Sequence, residues 1–591
     1  MRLLFTLCFL FSLNVFAQED IVAREYFKNG EFEKALISYQ KLYAKNIKNR
    51  NYLNQLVKTH QQLEQYKAAE NLLLKYLDLL NYPPALIELG YNYKLQNDTI
   101  NANINYQKAV SELDLKPNYA GMIGRAFESH SLLDQAIETY NKAMLVKPEL
   151  NFNMQLARIY GEQGNIEKMF NSYINFSEIN DTYINTIKRE FSSFISENKE
   201  HENNTILRKI ILKKIQTSPD LKWNDMLSWL FIQQKDYKKA FTQEKAIYKR
   251  QMESLDRIEE LANIAYTQKQ PEVAKEIFRF IVDNSQDIDI KINGHYNLLK
   301  IETEQSSTKD YKTINESYLN LLETFGKTGR TIDLQIAYGH FLAFYLNQTS
   351  NAITFLKDSL EIELGSYQLA RIKLELGDIL VLEEKFNEAL IYYTQIQRAL
   401  KNSTISQEAR FKVAKTSYYK GDFKWAESQL KILQSSTSQL TANDALDLKL
   451  LIGDNKAEDS LQTALKIYAK ADLLAFQNKK NESINLLNTI LKEHKTEAIV
   501  AQTLLKQAQL FEEKAEFEKA KENYERIISN FKEGILIDDA IYALAEIYAN
   551  KLEQPEKAKA LYESIIFEHA DSIYFVDSRK KYRALRGDAI N

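Results

Sequence analysis

Cysteine is almost missing from this chain: Cys8 is the only one. Proline and glycine are scarce as well, with 7 and 16 residues among 591. So few turn formers leave little material for β-hairpins or for the Gly-rich loops that cradle phosphates. After the first 17 residues no apolar run approaches the ~18 residues that a membrane span needs. One-signed charge is missing too. The 77 basic and 80 acidic residues are mixed along the chain and leave a formal net charge of -3. No long-range field therefore draws in nucleic acid or an anionic membrane surface.

The N-terminal stretch MRLLFTLCFLFSLNVFA has one early positive charge at Arg2, an apolar run from Leu3 to Phe11, and Val15 and Ala17 at its end. It reads as a secretory signal peptide, which predicts cleavage after Ala17 and a periplasmic location. Phe5, Thr6 and Leu7 do not supply the small residue expected before a lipidated Cys8. Cleavage would leave a chain without thiols, and disulfides, thiol catalysis and Cys-based metal sites go with them.

What the chain has in abundance is a recurring small residue followed four positions later by an aromatic, as in Ala35 with Tyr39, Ala102 with Tyr106 and Ala136 with Tyr140. Ala35, Ala69, Ala102, Ala136 and Met169 follow one another at steps of ~33–34 residues, the length of a helical-hairpin repeat. Gly124, Phe127, Ala136, Tyr140, Ala143 and Pro148 give the fullest unit, and Gly90, Tyr93, Ala102, Tyr106 and Ala109 repeat it. This pattern resembles the tetratricopeptide repeat (TPR) family. The fold class implied is all-α, a TPR superhelical solenoid of antiparallel helical hairpins, with ~13 units on the repeat period.

The pattern degenerates between Asp181 and Asp220, and the polar stretch 283–313 suggests a hinge or inserted loop. Later units lengthen to ~37 residues, from Ala352 to Ala389 to Ala426, which predicts longer helices. The expected organisation is a signal peptide at 1–17, an N-terminal TPR block at 18–180, a degenerate central block with an irregular insertion at 181–330, a set of longer hairpins at 331–440, and a C-terminal block with a capping helix at 441–591.

Two catalytic possibilities dissolve on inspection. His130, Asp134 and Glu138 are four residues apart, yet the repeat register puts a turn after His130. "SLLD" at 131–134 then reads as a cap on the second helix, with Ser131 as acceptor and Asp134 in the positive first turn. The histidines at 60, 130, 201, 295, 340, 494 and 569 are isolated, and no zinc, P-loop, dinucleotide or nucleophile-elbow motif occurs. No catalytic residue, metal site or cofactor is expected.

The resemblance implies that first helices line a binding groove. Its groove positions fall on Arg24, Lys58, Tyr91, Arg125 and Arg158, and on Asn51, Asn118 and Asn151. Guanidinium groups and amides suit the carboxylates and backbone of an extended chain. Protein or peptide partners of the cell envelope are expected, with a peripheral place at the outer membrane left open. The C-terminal hairpins, from FEKAKENYERII to KAKALYESII, resemble TPR modules of bacterial envelope assembly, and KADLLAFQNKKNESINLLNTIL resembles secreted TPR proteins of Bacteroidota. One alternative is a glycan or peptidoglycan-associated module, for which Trp223, Trp229 and Trp425 are few and scattered. Another is an enzyme with a cryptic site in 181–220 or 283–330.

Overall fold

Short amphipathic helices that cannot bury an apolar stripe alone must stack, and the computed structural model shows how. It describes residues 19–252, 254–433, 439–455 and 462–588. The expected signal peptide and its cleavage point after Ala17 lie outside the described residues. The fold is all-α, a solenoid arrangement of antiparallel helical hairpins. Two compact units divide it, Met1–Gln243 and Glu244–Asn591. The expected divisions at 180, 330 and 440 fall inside them.

The hairpin Ala120–Ser129 with Leu133–Val146 shows why the motif residues stand where they do. Ala136 and Tyr140 are fully buried. A Cβ on Gly124 would lie 2.2 Å from Cζ of Tyr140, so the ring occupies the space that glycine leaves empty. Gly90 with Tyr106 and Gly377 with Tyr393 repeat the arrangement, each at 2.4 Å. Tyr140 also stacks on Phe152 of the next hairpin, with centroids 4.9 Å apart. One aromatic thus closes its own hairpin and joins it to the following one.

The turn inside this hairpin corrects the expected cap. Ser131 has a left-handed backbone, φ 55°. The Leu132 N–H donates back to the Phe127 carbonyl at 2.9 Å, which closes the first helix. Helix two starts at Leu133 after an N-cap, Leu132, that makes no side-chain capping bond. Ser131 shapes the reversal of the chain and does not cap. Asp134 does lie in the first turn, where its carboxylate accepts from Gln163 at 3.0 Å. Glu64, Asn97, Lys235, Lys269 and Glu384 occupy the same left-handed turn position in other hairpins.

The stretch expected to be irregular is ordered. Ile288–Gln305 is an 18-residue helix, started by Asp287, whose carboxylate accepts from the N–H groups of Asp289 and Ile290. Its hairpin partner Tyr311–Phe325 carries Ile314 where other units carry alanine. In Lys480–Glu493 that place goes to Ser483, fully buried, with its hydroxyl donated to the Ala471 carbonyl at 2.7 Å. The helices therefore form more hairpins than alanine spacing counts. In the degenerate stretch, buried Asn204 holds the turn by donating to the carbonyls of Ser196 and Asn198, both at 2.7 Å.

The lengthened units put their extra residues in the first helix, 17 in Ser366–Leu382 and 16 in Thr404–Tyr419. Gln439–Asn455 is an additional helix packed on Phe423–Leu433. It does not separate its neighbours, because Thr404–Tyr419 reaches Thr463–Phe476 directly. Asp472 fastens that contact by accepting from Lys415 and Lys506, both at 2.7 Å. Burial would push its carboxyl up, but the two ammonium groups outweigh burial and hold it at about 2. At the C-terminus, Phe575–Arg586 lays Tyr582 and Leu585 on the preceding core and leaves Arg579 and Lys580 in solvent.

Two outcomes check this account. Gly124→Ala should lower the urea midpoint, because overpacking costs ~1–3 kcal/mol and exceeds the gain of up to ~1 kcal/mol from replacing a helical glycine. Gly453→Ala, where a Cβ meets nothing within 4 Å, should instead be neutral or stabilising. Asp472 has a lowered carboxyl in the folded chain, so its contribution is present above about pH 4 and is lost as pH falls towards 2. The gap in unfolding midpoint between the wild type and Asp472→Asn should therefore narrow across that window. A constant gap would contradict the ion-pair account.

Candidate protein-binding face

In the unit Met1–Gln243 the first helices of successive hairpins are 19–28, Arg50–Gln62, Pro84–Leu95, Ala120–Ser129 and Asn153–Glu162. The five residues expected in the groove fall one on each. Their environments differ. Arg24 donates to Asp20 on its own helix at 2.7 Å. Arg158 is paired with Glu128 of the preceding hairpin. Tyr91 is half-buried and stacks on the ring of His130, with centroids 3.9 Å apart. Lys58 and Arg125 are exposed and make no ion pair among the described residues.

The three asparagines share a simpler setting at the starts of first helices. Asn51 is exposed, and its backbone N–H donates to the Asn49 side chain at 2.9 Å. Asn118 lies in the short turn of helix Pro117–Tyr119 and accepts from Lys147 at 3.0 Å. Asn151 accepts from the backbone N–H of Asn153 at 3.0 Å and from its amide at 2.9 Å. Those contacts organise local backbone at helix entry.

His130 also gains a role that spacing alone did not show. Its Nε2 lies 3.1 Å from Oε2 of Glu88, and both side chains are buried. With Tyr91 against its ring, His130 joins Pro84–Leu95 to Ala120–Ser129. The turn does separate it from Asp134 and Glu138, so the three do not form one site.

A second arrangement crosses hairpin boundaries. The Tyr140 hydroxyl donates to Glu128 at 2.6 Å, and Arg158 of the following hairpin binds the same carboxylate. In the other unit Tyr393 donates to Asp378 at 2.6 Å, and Lys412 follows at 2.5 Å. Near the C-terminus Tyr562 donates to Glu546, which also accepts from Lys581 at 2.7 Å. Burial, reinforced by the neighbouring carboxylate, pushes the Tyr140, Tyr393 and Tyr562 hydroxyls up, so each remains a donor. Tyrosine, carboxylate and cation form a relay that neutralises first-helix charges one hairpin at a time.

Part of this relay has a sequence signal. Glu128 and Glu512 each stand twelve residues before the tyrosine they accept from, Tyr140 and Tyr524. Where the corresponding place holds Phe27 or Lys94, the Tyr39 and Tyr106 hydroxyls have no partner among the described residues. The cation on the next hairpin follows no fixed spacing, and stacking alone reveals it. Among the tryptophans, Trp223 is fully buried and donates to the Ser218 carbonyl at 3.1 Å, whereas Trp425 is exposed.

In the unit Glu244–Asn591, a hollow of about 570 Å³ runs along Asp256–Thr267, lined by Asp256, Glu259, Glu260, Asn263, Ile264 and Thr267. Among the described residues no group of three or more His, Cys, Asp or Glu side chains is placed to hold a metal ion. No described helix is long and apolar enough to cross a membrane.

A family match covers part of the second unit. Residues 502–533 and 539–572 match the tetratricopeptide repeat family, so these two hairpins of the C-terminal block carry its repeats. Among solved structures, the chain is similar to Naa15/Naa10 bound to HypK-THB, with 10% identity over 97% of this chain and 94% of that one, at a TM-score of 0.29. Yeast Tom70 shares 14% identity over 96% of this chain and 99% of its own, at 0.27. The Cut9-Hcn1 hetero-tetramer of the APC/C shares 13% over 95% of each chain, at 0.24. No curated protein sequence matches.

The relay is open to a double-mutant cycle. Glu128→Ala and Tyr140→Phe should each lower stability, with a coupling of roughly 1.5–3 kcal/mol for a hydrogen bond to a charged acceptor. Strictly additive urea-unfolding energies would show that Tyr140 and Glu128 do not act together.

Proposed function

We propose that the protein is a non-enzymatic scaffold of the bacterial cell envelope that holds partner proteins against its first-helix face. Within Met1–Gln243 the partner is an extended segment bearing carboxylates, bound by Lys58 and Arg125. One observation carries this reading. On a row of five expected contact residues, the cations Arg24 and Arg158 are neutralised by Asp20 and Glu128, while Lys58 and Arg125 are exposed without an ion pair among the described residues. Arg offers a fork that fits a carboxylate, and Lys a mobile point charge beside it. Binding an extended chain along stacked helices uses a recognised mode in which a few charged anchors fix the register. The envelope location rests on the signal-peptide reading of the first 17 residues, and a place in outer-membrane assembly or secretion rests on the resemblance of the C-terminal hairpins.

The test places a photo-crosslinking side chain at Asn51, on the exposed start of Arg50–Gln62, in intact cells. The expected adducts are with envelope proteins, crosslinked through an acidic segment. They should fall by about tenfold in Lys58→Glu/Arg125→Glu, as expected when central charged anchors are reversed, and persist in Arg24→Glu. Adducts unchanged by the double reversal would refute the groove assignment, and adducts made only with cytoplasmic proteins would refute the location.

A further inference from the structure

Three successive first helices of the second unit, Ile332–His340, Ser366–Leu382 and Thr404–Tyr419, line a cavity of about 260 Å³ that opens to solvent, with Tyr367, Thr404 and Glu408 exposed at its mouth. It is smaller than the ~300–1,000 Å³ of pockets that take whole small molecules, and so it has room for one side chain. Ile336, Leu374 and Ile405 give it apolar walls. Tyr367 lines it as well, 55% exposed and without a ring contact among the described residues.

The charges around the cavity are satisfied, with one exception. Arg371 pairs with Asp333. Glu375 accepts from His340 at 2.8 Å, and Asp378 holds both Lys412 and the Tyr393 hydroxyl. Glu408 lines the cavity and makes neither a hydrogen bond nor an ion pair among the described residues. It keeps contact with solvent, yet enough protein surrounds its carboxyl for desolvation to push it up, with Lys412 pulling down and Asp378 adding to the rise. A cation brought to this place would gain an acceptor that the fold itself leaves without one.

We propose that this cavity receives a basic side chain, arginine or lysine, from an extended segment of a partner protein. The methylene stem lies along Ile336, Leu374 and Ile405, as long basic side chains do when they cover apolar surface and keep the charged head hydrated. Its charged end meets Glu408 in a charge-assisted hydrogen bond, and the open face of Tyr367 adds cation–π attraction. The inference rests on the protein-binding reading above. It also gives the second unit a preference opposite to that of Lys58 and Arg125: the first unit takes carboxylates and this cavity takes a cation.

The experiment selects random short peptides displayed on phage against the immobilised full-length chain and measures synthetic copies by fluorescence anisotropy. Peptides carrying arginine or lysine are expected, with affinity about tenfold weaker when that residue becomes neutral citrulline or norleucine, the range of a single interface anchor. The same loss is expected on Glu408→Gln, an isosteric change at a residue without a partner, and no loss on Glu260→Gln in the other hollow. Basic peptides that bind Glu408→Gln as well as the wild type overturn the cavity assignment. Acidic peptides that depend only on Lys58 and Arg125 overturn it too and leave the protein-binding reading standing. Failure to select any peptide counts against both.

Discussion

The fold depends on how closely two helices of a hairpin can approach. At Gly124 the missing side chain admits the Tyr140 ring, and the Ala136 methyl group is fully buried beside it in the hairpin. Closer packing brings the first and second helices into one layer, and the aromatic then reaches the next hairpin through Phe152. Because interiors pack near solid density, this approach cannot be partly satisfied. The helix ends follow from it: the chain must reverse within a few residues, which forces one residue of each tight turn into the left-handed region, whether it is Asn97, Ser131 or Lys269.

Electrostatics is laid over that packing. A charged side chain on a first helix faces the first helices on either side, so its neighbours are set by the stack. Glu128, Asp378 and Glu546 each take a tyrosine from their own hairpin and a cation from the next. Partly buried charges without partners are costly, which makes such pairing the ordinary state of the face. The informative residues are those that escape it. Lys58 and Arg125 are among those that do so in one unit, and Glu408 is among them in the other.

Much of the fold was legible because the repeat writes its packing into residue types. Ala35, Ala69, Ala136, Ala240 and Ala558 all lie where the period places them, fully buried. Legibility failed where a different residue met the same requirement, as with Ile314 and Ser483, or where a polar composition concealed a helix, as in Ile288–Gln305. Exposed Asp289, Glu304 and Gln305 say little about backbone, although Thr303 of the same helix is buried. Ser131 misled for a related reason, since serine serves both caps and turns, and only its φ tells them apart. The face was less legible than the fold. The row from Arg24 to Arg158 could be placed by counting, but which of its cations was already occupied depended on carboxylates of other hairpins.

The direct contact between Thr404–Tyr419 and Thr463–Phe476 has a mechanical consequence. A stack of hairpins joined only to nearest neighbours yields to tension one unit at a time, each step independent of the rest. Asp472 breaks that independence, because Lys415 on one side and Lys506 on the other hold it across three first helices. The three helices that carry Lys415, Asp472 and Lys506 would therefore part together under a pull, one tie spanning three steps of the stack.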